Sequence, residues 1–185
     1  MDLAPVLPLA TDRLELRLFT PSDVDDMYDY QKLPEVARYL YRPPRTRERC
    51  EEVIAEAAEA PKWVRDGDEL TLAVVRAGEP GVVGEVTLKH ADAHARQAEI
   101  GWVFNPRFHG RGYAAEAARA LAALAFDELG VHRVFARLDV ENVSSVRLCE
   151  RLGMRREAHL VENDLDGDRW GSEYIYAALA ADLKR

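Results

Sequence analysis

The sequence predicts an α/β fold, a single mixed and mostly antiparallel sheet flanked by helices. Three observations predict it. Leu14, Leu16 and Leu18 alternate with Glu15 and Arg17, which is the two-residue period of a half-buried strand. Two β-rich runs, Leu70–Arg76 and Val82–His90, flank the turn Gly78-Glu79-Pro80-Gly81, so they read as antiparallel neighbours joined by a hairpin. Tyr113–Leu129 is alanine-rich and apolar on nearly every side, as expected of a helix buried against a sheet.

The elements follow in order. Leu14–Phe19 is the first strand, and Thr20-Pro21-Ser22-Asp23 turns into a helix with Ser22 as N-cap. A short helix over Glu35–Tyr41 stops at Pro43-Pro44. Thr46–Val64 carries Cys50, Val53, Ile54, Ala57 and Ala58 on one stripe, and Pro61 ends or kinks that helix. After the hairpin, Glu99–Phe104 is a third strand of that region, broken by Asn105-Pro106. Gly130 fits the end of the buried helix, and Val131–Val140 is a strand with Val134, Ala136, Leu138 and Val140 on one face. Asn142–Leu152 is a helix with Gly153 at its C-terminus, and Arg155–Glu162 and Glu173–Ala180 are the last strands. No repeat, low-complexity tract or linker divides the chain, so residues 1–185 are expected to form one domain.

Composition excludes several classes. Apolar residues at 48% and charged residues at 31% exclude disordered and collagen-like chains. No apolar run approaches ~18 residues, so no transmembrane helix is expected. The opening MDLAPVLPLATDR carries Asp2 and no basic stretch, a poor signal peptide, and Cys50 and Cys149 form no CxxC motif. A cytoplasmic protein with reduced thiols is the expectation. The net charge of -8 argues against nucleic acid as a partner and suits a cationic substrate.

The segment RFHGRGYAAEA (107–117) joins a strand to the buried helix. A helix start offers unpaired N–H groups and a positive dipole end, which together bind phosphate. Gly110 and Gly112 permit close backbone approach, and Arg107 and Arg111 could add charge. Two other readings compete. The glycines could serve only a tight turn. The run 110–115 also satisfies G-x-G-x-x-A, with Asp139 near the end of the next strand, as in a dinucleotide fingerprint. Against that fingerprint, Asn105 to His109 separate strand from glycine, and the preceding strands read as hairpins rather than βαβ units.

Arg107-x-x-Gly110-x-Gly112 after the strand resembles the acyl-CoA signature of the GNAT superfamily of N-acetyltransferases. Leu9-x-Thr11-x-Arg13-Leu14-x-Leu16-Arg17 is similar to the opening strand of the branch containing the ribosomal-protein N-terminal acetyltransferases. Glu99-Ile100-Gly101-Trp102 resembles its central strand. Asn142-Val143-Ser144-Ser145 with Leu148-Cys149-Glu150-Arg151-Leu152-Gly153-Met154 resembles its second motif. Together these cover about residues 9–180. The resemblance implies a sheet splayed between the Glu99–Phe104 and Val131–Val140 strands, with pantetheine lying in the gap and the diphosphate on N–H groups of His109 to Ala114. It assigns contact with acetyl-CoA to Trp102, Val103, Phe104, Arg107, His109, Gly110, Arg111, Gly112, Tyr113, Ala114, Asn142 and Ser145. It also implies an amine as acceptor, and a homodimer is one option.

Moving an acetyl group from a thioester to an amine requires loss of the amine proton, donors for the oxyanion and a proton for the thiolate. By analogy Glu99 is the base, on the strand beside the thioester, with an exposed strand glutamate as the plain alternative. Glu85, within the apolar run Val82–Leu88, stands second, and a water wire third. Asn142, Ser145 and Cys149 share one helix face, where the polar pair could simply cap the helix. Many relatives have an acidic tyrosine at position 149. Here it is cysteine, read as a small core residue, and Ser145 is expected to assist the sulfur. No metal site is expected: His90 and His94 lack a third ligand, and Asp164, Asp166 and Asp168 read as a solvated hairpin tip. Trp63, Trp102 and Trp170 are expected as core or pocket wall. A non-catalytic acyl-CoA-binding module on the same scaffold is the rival reading.

Overall fold

The computed structural model describes residue 3, residues 6–58 and residues 62–183. It contains one eight-stranded sheet in the order β1-β2-β3-β4-β5-β6-β8-β7. The strands are β1 (Leu9–Ala10), β2 (Leu14–Arg17), β3 (Glu69–Arg76), β4 (Val82–Asp92), β5 (Gln97–Phe104), β6 (Arg133–Asp139), β7 (Arg155–Asp166) and β8 (Arg169–Leu179). Every neighbouring pair is antiparallel except β5 and β6, which are parallel. The sheet is therefore mixed and mostly antiparallel, and the doubly wound arrangement of a dinucleotide-binding fold is ruled out.

The helices are α1 (Val24–Gln31), α2 (Pro34–Ala37), α3 (Arg47–Ala58), α4 (Tyr113–Asp127) and α5 (Val143–Leu152). Two cores sit on the two faces of the sheet. On one face Leu72, Val74, Val86, Leu88 and Ile100 meet Ala118, Leu121 and Ala125 of α4 and Leu148 and Leu152 of α5. On the other face Ala73, Val75 and Val82 meet Met27 and Tyr30 of α1 and Cys50 and Ile54 of α3. The strand period of two assigns alternate residues to the two cores. As the composition of α4 predicts, no residue from Tyr113 to Phe126 is exposed.

Several boundaries differ from the sequence reading. The N-terminal turn is capped at Thr20, not Ser22: the Asp23 carboxylate accepts the Thr20 N–H at 2.7 Å and is paired to Arg17 at 2.7 Å. The short helix covers only Pro34–Ala37, and Tyr41 turns out of it with a φ of 49°. The helix α3 does not extend to Val64, and Pro61 lies outside the described residues. The strand expected over Val82–His90 runs on through Ala91 and Asp92. The last hairpin is longer than expected, turning only at Gly167 and Asp168. At α5 the reading holds in detail: the Asn142 side chain accepts the Ser145 N–H, and Gly153 closes the helix with a φ of 89°.

Gly84 shows how tightly β4 and β5 are packed. A Cβ there would lie 2.6 Å from the Phe104 ring and 2.7 Å from the Val103 carbonyl oxygen. Gly84→Ala should therefore cost about 1–3 kcal/mol by overpacking, seen as a lower Tm and denaturation midpoint. An unchanged melting curve would show that Phe104 yields freely.

Candidate active site

The parallel pair β5 and β6 is joined over three residue pairs only: Gln97 with Arg133, Ala98 with Val134 and Glu99 with Phe135. Beyond Glu99 the strands part. The β6 side of Ile100–Phe104 is left without a strand beside it, while its other side stays paired with β4 down to Gly84. Backbone polar groups along such an opening call for partners, and a chain bearing amides can supply them. The splay expected between these strands is thus present.

At the far end of β5 the chain passes through a single 3₁₀ turn, Pro106–Phe108, and enters α4. Gly110 and Gly112 have φ of 75° and 81°, a region that side chains with a Cβ disfavour. Among the described residues, no acceptor takes the N–H of Gly110, Arg111, Gly112, Tyr113 or Ala114. These five donors head a 15-residue helix with its positive dipole end. The His109 N–H is different. It is spent on the Pro106 carbonyl at 3.1 Å, so the free run begins one residue later than expected. The His109 ring bonds the Phe104 carbonyl oxygen at 3.0 Å. Arg107 also departs from expectation. Its guanidinium is paired with Asp29 of α1 at 2.8 Å rather than turned to the glycine loop. Arg111 lies over the Phe108 ring.

Residues 13–155 match the Acetyltransferase (GNAT) domain family. The chain belongs to this family. It is 32% identical over 177 residues to the uncharacterized N-acetyltransferase YnaD of Bacillus subtilis, covering 92% of this chain and 96% of that protein. A GNAT-family acetyltransferase structure from Bacillus anthracis superposes with a TM-score of 0.84 at 31% identity, covering 94% of this chain and 98% of the other. The spermidine N-acetyltransferase of Vibrio cholerae, solved with CoA and spermine, shares the fold with a TM-score of 0.78 at 22% identity, covering 93% and 98% of the two chains. The protein is an acetyl-CoA-dependent N-acetyltransferase, and the free donors and the open strand edge fit such a donor substrate.

The two carboxylates singled out in this acetyltransferase sit in opposite settings. Glu85 is 5% exposed and fully engaged. It accepts from Tyr30 Oη at 3.0 Å and Gln31 Nε2 at 2.8 Å, with Arg45 at 3.5 Å. It ties β4 to α1, and these partners occupy its oxygens. Glu99 is half-buried, on the last residue pair before the strands part. Among the described residues, no hydrogen bond or ion pair holds its oxygens. Burial raises its pKa above the usual carboxylate value, and Arg137 and Lys89 offset part of that rise.

Ser145 and Cys149 are also separated by their settings. Trp102 Nε1 donates to Ser145 Oγ at 3.1 Å, which links β5 to the first turn of α5 across the opening. Indole nitrogen only donates, so the serine keeps its own O–H to give. Cys149 is completely buried, and its thiol pKa is pushed up to about 12 by desolvation. Asn142 does the plain job considered for it, capping α5. Val103 packs toward the α1 core, and Phe104 is buried over Gly84.

A polar cluster beyond Glu99 escaped the sequence reading. Tyr41 Oη donates to Asp139 Oδ2 at 2.7 Å, and Arg137 pairs with Glu173 at 2.6 Å. Asp139 and Glu173 face each other in the β6–β8 register and are 3% and 5% exposed. The available signal was strand parity, which aligns Glu99, Arg137, Asp139 and Glu173 on one face. Trp170 is exposed, contrary to its assignment as core or pocket wall, and Trp63 is buried and stacked on His90. Among the described residues no His, Cys, Asp and Glu group is arranged to hold a metal.

On the sequence expectation that Ser145 assists the sulfur, its replacement by alanine should lower kcat more than the KM for acetyl-CoA, because such a bond strengthens as negative charge builds. Cys149→Ala should leave kcat within about threefold. Single-turnover rates decide between them, and the opposite ranking would return the acidic role to the thiol.

Proposed function

We propose that this single-domain enzyme transfers an acetyl group from acetyl-CoA directly to a primary amine, with Glu99 as the base. The observation that carries the reading is Glu99 itself: a half-buried carboxylate with unoccupied oxygens where β5 and β6 diverge. The donor substrate supplies an activated acyl carbon and a thiolate leaving group; the remaining tasks belong to the protein. An alkyl ammonium has a pKa of about 10 and must lose a proton before its nitrogen can attack. Glu99 takes that proton, directly or through one water, and its raised pKa makes it a better acceptor than an exposed glutamate. Backbone N–H groups of β5 beyond Glu99 stabilise the oxyanion. Ser145, in the first turn of α5, offers its hydroxyl to the departing sulfur where the helix dipole also favours an anion. The five free N–H groups from Gly110 to Ala114 hold the diphosphate. No acyl-enzyme is needed, because both cysteines are buried.

Free-thiol release from acetyl-CoA, followed with peptide N-termini, aminoglycosides, polyamines and amino-acid-like amines, tests the reading. At least one amine should accelerate release, and acceleration by none would overturn it. With that amine, Glu99→Gln should lower kcat/KM by about 10²-fold. Glu99 must be deprotonated to act, so wild-type kcat/KM should fall as the pH drops through its raised pKa, above the usual carboxylate range. The variant should lose that limb. A wild-type pH profile in the variant would assign proton removal to water alone.

A further inference from the structure

The turn between β1 and β2 reaches the start of α4, although about a hundred residues of chain separate them. Its contacts converge on two groups. One is the carboxylate of Glu116, in the first turn of α4. Its Oε1 accepts from Thr11 Oγ1 at 2.6 Å and from the Arg13 N–H at 3.0 Å, and its Oε2 accepts from Arg13 Nε at 2.8 Å. The other is the backbone carbonyl of Arg111, which accepts from Arg13 Nη1 at 3.0 Å. The same guanidinium lies 5.1 Å from the Tyr113 ring centroid, and its Nη2 is 3.4 Å from where a Cβ on Gly112 would stand.

The Arg111 carbonyl belongs to the peptide unit that carries the Gly112 N–H. In a trans peptide the C=O and the N–H point in opposite directions. Holding the carbonyl toward Arg13 therefore holds the Gly112 N–H away from Arg13. Gly112 is the N-cap of α4, and glycine permits the unit to rotate at little steric cost. The Gly112 carbonyl accepts the Glu116 N–H at 3.1 Å, but the N–H groups from Gly110 to Ala114 have no acceptor among the described residues, so the bond from Arg13 is what holds the 111–112 unit itself. The carboxylate of Glu116, at a helix start suited to an anion, is meanwhile neutralised by the same side chain.

We infer that Arg13 is a positioning residue for the donor substrate: it locks the 111–112 peptide unit and so presents the Gly112 N–H to the diphosphate. The inference rests on the reading that loop 110–114 holds that diphosphate. Lysine would keep the charge but could not reach Glu116 and the Arg111 carbonyl with one planar fork.

Ligand titrations followed by thermal shift, with CoA and with pantetheine, test it without a known acceptor. Wild type should bind CoA at least roughly tenfold more tightly than pantetheine. Arg13→Ala should weaken CoA binding by roughly tenfold or more while leaving pantetheine within about threefold. Arg13→Lys should resemble Arg13→Ala. Equal weakening toward both ligands would make Arg13 a brace of the fold alone and overturn the inference. Restoration of wild-type affinity by lysine would assign the effect to charge and overturn it as well. A wild type with no preference for CoA over pantetheine would instead bring down the loop reading, whatever the variants do.

Discussion

A parallel pair of strands that stops after three residue pairs leaves backbone groups of the central sheet without strand partners. Each inner strand is fully committed on its other side, β5 to β4 and β6 to β8. Neither can turn to close the gap without breaking a long antiparallel ladder. The core beneath α4 and α5 enforces the same outcome, because alternate residues of these strands are already packed into it. What remains is an opening lined by backbone amides, with Glu99 at its closed end and the glycine loop beyond its β5 edge. The opening is thus an unfinished part of the sheet rather than a pocket added to it.

That geometry puts two similar glutamates in different surroundings. Glu85 and Glu99 both point to the face that carries α1 and α3. Glu85 lies beneath α1, where Tyr30, Gln31 and Arg45 must satisfy a carboxylate cut off from water. Glu99 has no hydrogen bond or ion pair among the described residues and is left with distant charges only. A carboxylate that is desolvated but not bonded is unstable in its charged form, and that instability is what a proton acceptor requires. The difference arises from the partners that other elements bring, not from the strand sequences.

Position along a helix divides labour in the same manner at α4 and α5. The first turn of α4 leaves its N–H groups free, while its one carboxylate is neutralised by Thr11 and Arg13 from the other end of the chain. At α5, Asn142 caps the helix and Trp102 meets Ser145, so a hydroxyl is held at the opening. One turn further along, Cys149 has no route to solvent and is part of the core. Helix starts carry unspent polarity and helix middles do not.

The sequence by itself determined the strands of the central sheet, the buried helix α4, the cap and closing glycine of α5, and the glycine loop, because each rests on local periodicity or turn chemistry. It also read Cys149 as a small core residue from its apolar flanks, and the thiol is buried. It misplaced Ser22 as a cap and carried α3 and the short second helix too far, because capping and fraying depend on neighbours outside the segment. It joined Arg107 to the phosphate loop, where the fold gives it to Asp29. Long-range packing gave Glu85 its partners on α1, left Glu99 without a hydrogen bond among the described residues, brought Arg13 to Gly112, and gathered Tyr41, Asp139 and Glu173 at one end of the sheet. Local sequence records which way a side chain alternates along its own strand or helix. The partner that a side chain meets is set by the packing of elements far apart in the chain, and charge, burial and hydrogen bonding all follow from that partner.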